Sequence, residues 1–303
     1  MALRTRAIKQ KISSVKNIRK ITKAMEMVAV SKMKRAVASA LSTRAYAVAA
    51  LDLLVAIALE RKISHLLLEK GKGSRTLIIV VASNRGLCGG FNVSLAKLVA
   101  RSFETFGGRD SVDFITIGKN AERLARKLGA DVRGSFVEFS DTYGMHGIRG
   151  LRRLVLDEFY GGAYGQVLVA YNNYISTVRY ESVVRPLLPI TPEIVRNLIA
   201  SVGEGTNIVD IRTAMSEGVY LFEPTEAAVL EEVLPELVAV QLYQMNLESM
   251  ASEQSARMIA MKNASESAGE MITDLTLDSN RARQDGITQE ISEIAAGANA
   301  LQV

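Results

Sequence analysis

The first 70 residues contain neither proline nor glycine, the first glycine being Gly71. Few folds tolerate so long a stretch without a helix breaker, so this segment constrains the chain more than any other feature. Apolar side chains recur along it at Ile8, Ile12, Val15, Ile18, Ile21, Met25 and Val28, in steps of three and four. That spacing predicts one long helix with a single seam. The other end reads alike. After "EPTEAAVLEEVLPEL", with Thr225 as an N-cap and Pro235 as a local kink, a stripe continues through Leu230, Leu234, Leu242, Met245, Ile272, Leu275, Ile287, Ile291 and Ile294 to Gly297. Helices of about 55 and 70 residues would each exceed ~80 Å, a length reached by coiled coils rather than by globular helices.

Charge pairs the two segments. Met1 to Arg44 carries twelve Lys/Arg against one acid, Glu26, whereas Glu223 to Val303 carries fourteen Asp/Glu against four Lys/Arg. The formal net charge of +5 thus hides a basic end and an acidic end that attract one another along a seam. Aromatics are scarce at 6% and Trp is absent, so Ala, Met and Leu must do much of the packing.

Between the helical ends the texture changes. "TLIIVVAS" (76–83) is a β-branched apolar run followed by the glycine loop "NRGLCGGFN" and a helical pattern over 93–103. "DFITIG", "SFVEF", "QVLVAYNNYIS" and "YESVVRPLLPI" read as further strands, the last two an antiparallel pair, with helices over 120–128 and 148–159. The expected fold class is α/β: a Rossmann-like domain inserted between the arms of a long antiparallel coiled coil. The expected divisions are 1–70, 71–222 and 223–303.

Chemical motifs are sparse. Gly86, Gly89 and Gly90 match neither a dinucleotide fingerprint nor a phosphate loop, and they fit a strand-to-helix turn better. A nucleotide-binding α/β enzyme is nevertheless the alternative reading. Cys88 is the sole cysteine, so there is no internal disulfide, and nothing near it in sequence would make it a nucleophile. His65 and His146 lack partners at metal-ligand spacing, so neither a metal nor a cofactor is expected. The basic start suggests nucleic acid, but its counter-charge lies in the same chain and no stacking aromatics occur before Thr43. No stretch has signal-peptide character, and the longest apolar run, 45–59, is too short to span a bilayer.

Three blocks carry a family resemblance: "KITKAMEMVAVSKMKRA", "ASNRGLCGGFN" and "ASEQSARMIAMKNASESAG…NRARQDGITQEISEIAAGA". They resemble the signature blocks of the F-type ATP synthase gamma subunit, in family order and across both ends and the middle. Asn84 stands where the family commonly has Asp, which puts a charged contact of that loop in doubt, and Ser279 where it commonly has an aromatic. No cysteine pair lies between Pro192 and Val219, so the chloroplast-type thiol switch is not expected.

The resemblance implies a non-catalytic rotor shaft that couples ion flow through a membrane ring to ATP synthesis or hydrolysis on beta subunits. It implies alpha, beta and epsilon subunits and the c-ring as partners, and a peripheral place on the cytoplasmic face of the inner (plasma) membrane. By the same resemblance Lys20, Lys23, Met25, Lys32, Arg35, Arg85, Cys88, Arg257, Arg283, Gln284, Thr288, Glu290 and Glu293 would meet a beta subunit. Met25 also belongs to the seam, and Cys88 is expected near the loop's surface. Tyr220, Phe222 and Glu223 would meet the ring or epsilon.

Overall fold

The computed structural model describes residues 2–54, 65–136, 144–190, 223 and 225–300. Its elements are α1 (Ala2–Leu54), β1 (Arg75–Val81), α2 (Phe91–Thr105), β2 (Val112–Ile117), α3 (Lys119–Leu128), β3 (Asp131–Phe136), α4 (Arg149–Tyr160), β4 (Tyr164–Ser176), β5 (Arg179–Leu188) and α5 (Glu226–Ala300). The Cα framework separates into two compact units, one comprising 1–30 with 257–303 and the other 31–256. These divisions fall well away from 70/71 and 222/223.

In the first unit, the covered positions of α1 are Ile8, Ile12, Val15, Thr22, Glu26 and Ala29, with Met25 and Val30 beside them. Those of α5 include the row Met258, Met261, Ser265, Ala268, Ile272, Leu275, Ser279, Ala282 and Gly286, with Arg257, Ile259, Ala260, Ala264 and Gly269 beside it. With Arg19 added, both rows alternate steps of four and three, the 3.5-residue period of a coiled-coil seam. Arg19 supplies the register: a Cβ on Gly269 would stand 3.6 Å from its Cζ. That contact lies within one residue of the antiparallel alignment of the two rows in which Ala29 is level with Met258, Thr22 with Ser265, Val15 with Ile272 and Ile8 with Ser279. A parallel run of the same rows would put Arg19 level with Ser265 or Ile272 rather than beside Gly269. Ala2, the first described residue of α1, then stands level with Asp285, and α5 continues for about 15 described residues beyond it, or ~22 Å.

This corrects the expected seam. Ile8, Ile12 and Val15 belong to it, but Ile18, Ile21 and Val28 are exposed, Ile21 by 60%. Two successive steps of three, from Val15 to Ile18 to Ile21, carry the apolar stripe off the strict heptad row and onto an outer face. Thr22, only 9% exposed, takes the seam position instead. Its Oγ1 donates to the Arg19 carbonyl at 3.1 Å, which leaves the methyl for packing. On α5, Ile272 and Leu275 do lie in the seam, whereas Ile287, Ile291 and Ile294 are exposed.

The second unit is built on a five-stranded sheet ordered β3-β2-β1-β4-β5, parallel except for β5, which runs antiparallel to β4. β1 is buried on both faces, so its run is continuously apolar rather than alternating. Leu77, Ile79 and Val81 join α4 (Leu151, Val155, Phe159) and the start of α5 (Leu230, Leu234, Leu237, Val238, Leu242, Met245) in one core. Ile78 and Val80 join α2 (Leu95, Val99, Phe103) and α3 (Ala121, Ala125) in the other. The first 30 residues of α5 are thus core of the α/β module, which is why the second unit runs on to residue 256. Thr225 caps α5 as expected, its Oγ1 accepting the Ala228 N–H at 3.2 Å.

At the bottom of the sheet, Asp113 is buried between Arg75, whose guanidinium pairs with it, and Tyr164, whose O–H donates to it at 2.5 Å. The bond to Asp113 raises the Arg75 pKa further, and burial together with the same carboxylate pushes the Tyr164 phenol up. This triad ties β1, β2 and β4 together at their N-terminal ends.

Candidate functional site: the shaft faces and the head of the sheet

In an open α/β sheet a nucleotide binds beyond the C-terminal strand ends, at the point where the strand order reverses. Here that point lies between β1 and β4, and the chain fills it with its own helix. Ser249 Oγ donates to the carbonyl of Val81, the last residue of β1, at 3.5 Å, and Ser252 Oγ to that of Asn172 in β4 at 3.0 Å. One turn on, Ser255 Oγ donates to the Thr177 carbonyl in the β4–β5 turn at 2.5 Å.

The glycine loop is also satisfied from within. Asn92 donates to Ser83 Oγ at 2.7 Å and accepts the Ser83 N–H at 3.2 Å, while Asn120 donates to the Ser83 carbonyl at 2.7 Å. Asn84, the departure from the family pattern, accepts the Lys119 N–H at 3.0 Å and so supports the start of α3. Gly118 is required there because a Cβ would stand 2.1 Å from the Ala82 carbonyl oxygen. Among the described residues, no group of three or more His, Cys, Asp or Glu could hold a metal ion.

Cys88 is not near the surface. It is 2% exposed, clustered with Phe91 and Ala256, and accepts a contact from Asn92 Nδ2 at 3.3 Å. The expectation of an accessible thiol is therefore corrected. Leu87, whose φ of 63° is the one left-handed value of a non-glycine residue among the described residues, is exposed, while Cys88 beside it is buried. Arg85 and Gly86 beside it are exposed. Arg257 is 9% exposed, so it too is covered within the chain rather than presented to solvent.

The cationic residues of α1 remain at the surface. Lys20, Lys23, Lys32 and Arg35 are exposed, although Lys23 pairs with Glu26 at 3.0 Å and Arg35 donates to Ser31 Oγ at 3.3 Å. An exposed pair of this kind adds only a few tenths of a kcal/mol and yields readily to a stronger partner. Met25 is half-buried, beside the seam rather than in it. Ile18, Ile21 and Val28, with the half-buried Met25 between them, form an apolar row on one side of α1, whereas Lys20 and Lys23 lie roughly 140–200° around the helix from Ile18.

At the far end of α5, Arg283, Gln284, Thr288, Glu290 and Glu293 are all exposed, with Gln289 Nε2 donating to Glu293 at 2.9 Å. Glu223 is exposed, while Tyr220 and Phe222 lie outside the described residues. Sequence reasoning missed the serines of α5, Asn172 and the Arg19–Thr22–Glu26 part of the seam. A strict heptad count would have found the last of these; the serine contacts carry no sequence signature.

The geometry defines a class: a long-helix shaft joined to an α/β module whose nucleotide crevice is closed by its own chain. The family model described as ATP synthase matches residues 4–301. An ATP synthase gamma chain from Dehalococcoides mccartyi is 36% identical over 301 residues, covering 98% of each chain, and one from Legionella pneumophila is 34% identical over 297 residues, covering 97% of this chain and 98% of that one. The chain belongs to the ATP synthase gamma chain family. Among solved structures, the central stalk/c-ring of the Tetrahymena thermophila mitochondrial ATP synthase aligns with a TM-score of 0.59 at 25% identity, covering 81% of this chain and 99% of that one. A rotor chain of the Euglena gracilis enzyme shares the fold at 18% identity, with a TM-score of 0.61 and coverage of 95% and 100%.

Proposed function

We propose that this chain is the central rotor shaft of an ATP synthase and is itself non-catalytic. Its angular position sets nucleotide affinity at catalytic sites on beta subunits, so ion flow through a membrane ring is coupled to ATP synthesis or hydrolysis. In physical terms, each orientation offers different contacts to each beta subunit and shifts the population of its conformers. The observation that carries this reading is the pair of matched heptad rows, which make a stiff two-helix shaft from the two ends of the chain.

The partners are the alpha and beta subunits around the shaft, with epsilon and the c-ring at the foot. Lys20, Lys23, Lys32 and Arg35 attract acidic beta loops over several ångströms, a task suited to mobile lysine charges. Arg85 extends that contact from the glycine loop, and Met25, with the exposed apolar row, presents soft surface to the passing subunits. Arg283, Gln284, Thr288, Glu290 and Glu293 make orientation-dependent hydrogen bonds near the tip. Glu223, with Tyr220 and Phe222, faces the ring or epsilon. Cys88 and Arg257, both buried, act through the positions of their neighbours rather than by direct contact.

The complex sits peripherally on the cytoplasmic face of the inner membrane, anchored by other chains. Among the described residues, no helix is long and apolar enough to cross a membrane. Affinity isolation of the tagged chain from gently solubilised membranes tests the proposal. Recovery with alpha, beta and epsilon subunits in an ATPase-active complex is expected. Recovery alone, with tight binding of ATP or NAD by the chain itself, would instead support the nucleotide-enzyme reading.

A further inference from the structure

We propose that Ser249, Ser252 and Ser255, seated over the buried Asn172, are the anchorage that stops α5 from turning about its own axis in the α/β module. The inference rests on the rotor reading above and names the residues through which torque would pass between module and helix. A shaft is useful only if the body that receives torque cannot slip around it. Apolar packing resists separation but is non-directional, so a smooth apolar face would permit rotation and sliding. Hydrogen bonds have preferred angles, and they resist both.

The three hydroxyls are spaced by three residues, so each sits about 60° further around the helix and the set sweeps ~120°. Their acceptors are carbonyls in separate places: the end of β1 (Val81), β4 (Asn172) and the β4–β5 turn (Thr177). Ser249, Ser252 and Ser255 are all buried, which shields these bonds from competing water. The middle acceptor is itself braced. Asn172 is fully buried, its Nδ2 donates to the Phe91 carbonyl at 3.1 Å, and its Oδ1 accepts from Ser182 Oγ at 2.5 Å. One residue therefore joins α5, the start of α2 and β5. Directly above, Ala256 packs with Cys88 and Phe91, and Phe91 meets Tyr180 of β5 with ring centroids 5.9 Å apart. α5 continues unbroken beyond Ala256 to Ala300, so whatever holds 249–255 holds the helix that forms the shaft.

The test uses the complete membrane-bound complex carrying S249A/S252A/S255A, with Ser102→Ala in α2 as a control hydroxyl. Hydrolysis by the detached catalytic head should stay within about two-fold of the unmodified complex. Ions pumped per ATP, at matched assembly, should fall by at least about five-fold, the equilibrium effect of losing even one of the three hydrogen bonds. The deficit should grow as the opposing gradient is raised, a load dependence that mere loss of stability would not produce. Where the triple variant assembles poorly, Ser252→Ala and Ser255→Ala alone should show the same load dependence at smaller amplitude. An unchanged pumping ratio in the triple variant, or singles without load dependence, would overturn the anchorage. Failure of the unmodified chain to restore coupling in a complex lacking its gamma chain would overturn the rotor reading and the anchorage with it.

Discussion

Replacing Ile21 by Ser separates the structural seam from the one suggested by apolar spacing. Complete burial of an isoleucine side chain contributes up to ~3 kcal/mol. Ile21 is 60% exposed, so only about two-fifths of that area is withdrawn from water, and Ile21→Ser should cost ~1 kcal/mol. Eight residues on, Ala29 is 1% exposed, in the seam row. Ala29→Asp would bury a carboxylate there without a cationic partner, at a cost of about 3–5 kcal/mol. Thermal unfolding of the purified chain, followed by helical circular dichroism, reads both effects. For a unit of this size ~1 kcal/mol corresponds to roughly 4–8 °C, so the two variants should differ widely. The isolated chain is the decisive sample, since it alone leaves the Ile21 face open to water. A loss of ~3 kcal/mol for Ile21→Ser with little effect of Ala29→Asp would refute the register.

Cys88 should resist maleimide labelling in the native chain and react fully after unfolding; rapid native labelling would contradict its burial beside Phe91 and Ala256. His65, whose pKa is lowered chiefly by desolvation, is neutral in the folded state and accepts the Leu67 N–H on Nδ1 at 3.1 Å. Its folded pKa lies below its unfolded value near 6.5, so its contribution to stability is present above that pH and is lost on acidification below it. His65→Gln should flatten the slope of stability against pH between about 6.5 and 5, before carboxylates titrate; an unchanged slope would count against this assignment. Arg283→Ala with Gln284→Ala should depress turnover more than deletion of residues 296–303, measured as steady-state ATPase at matched assembly; the opposite ranking would remove the tip contact. Glu223→Lys should impair ion-driven ATP synthesis more than hydrolysis by the detached head, and equal loss in both assays would dissociate Glu223 from the foot.

Much of the fold was legible because its elements carry strong local periodicities. β1, β2 and β4 are apolar runs, buried on both sides, and α2 spaces Phe91, Leu95, Val99 and Phe103 at one-turn intervals. The seam was half legible. Its apolar members below Val15 follow the heptad row, but the row continues through Arg19, Thr22 and Glu26, whose polarity conceals them. Arg19 holds such a place with its guanidinium over Gly269, where the absence of a side chain leaves room for it: a Cβ there would stand 3.6 Å from Cζ and 3.7 Å from Nε. The apolar residues displaced from the row read as core in isolation, since hydropathy cannot distinguish a seam from a face left for other chains. The division of α5 was illegible for a related reason: its stripe continues across both units, and only the sheet determines that Leu230 to Met245 serve the module. Among the site residues, exposure of the lysines and of the Arg283–Glu293 stretch agreed with their charge. The burial of Cys88 depended on the positive φ of Leu87, which no neighbouring residue type announces.

The central claim is that this chain turns as a body while catalysis proceeds on other subunits. Lys97 lies exposed on α2 of the module and the native thiol is buried, so Lys97→Cys gives one accessible attachment point on this chain. With the catalytic head immobilised and a bead or rod attached there, ATP should drive continuous rotation in one direction, stopping when hydrolysis is inhibited. A probe that stays fixed while the same complexes hydrolyse ATP at the normal rate would contradict the account.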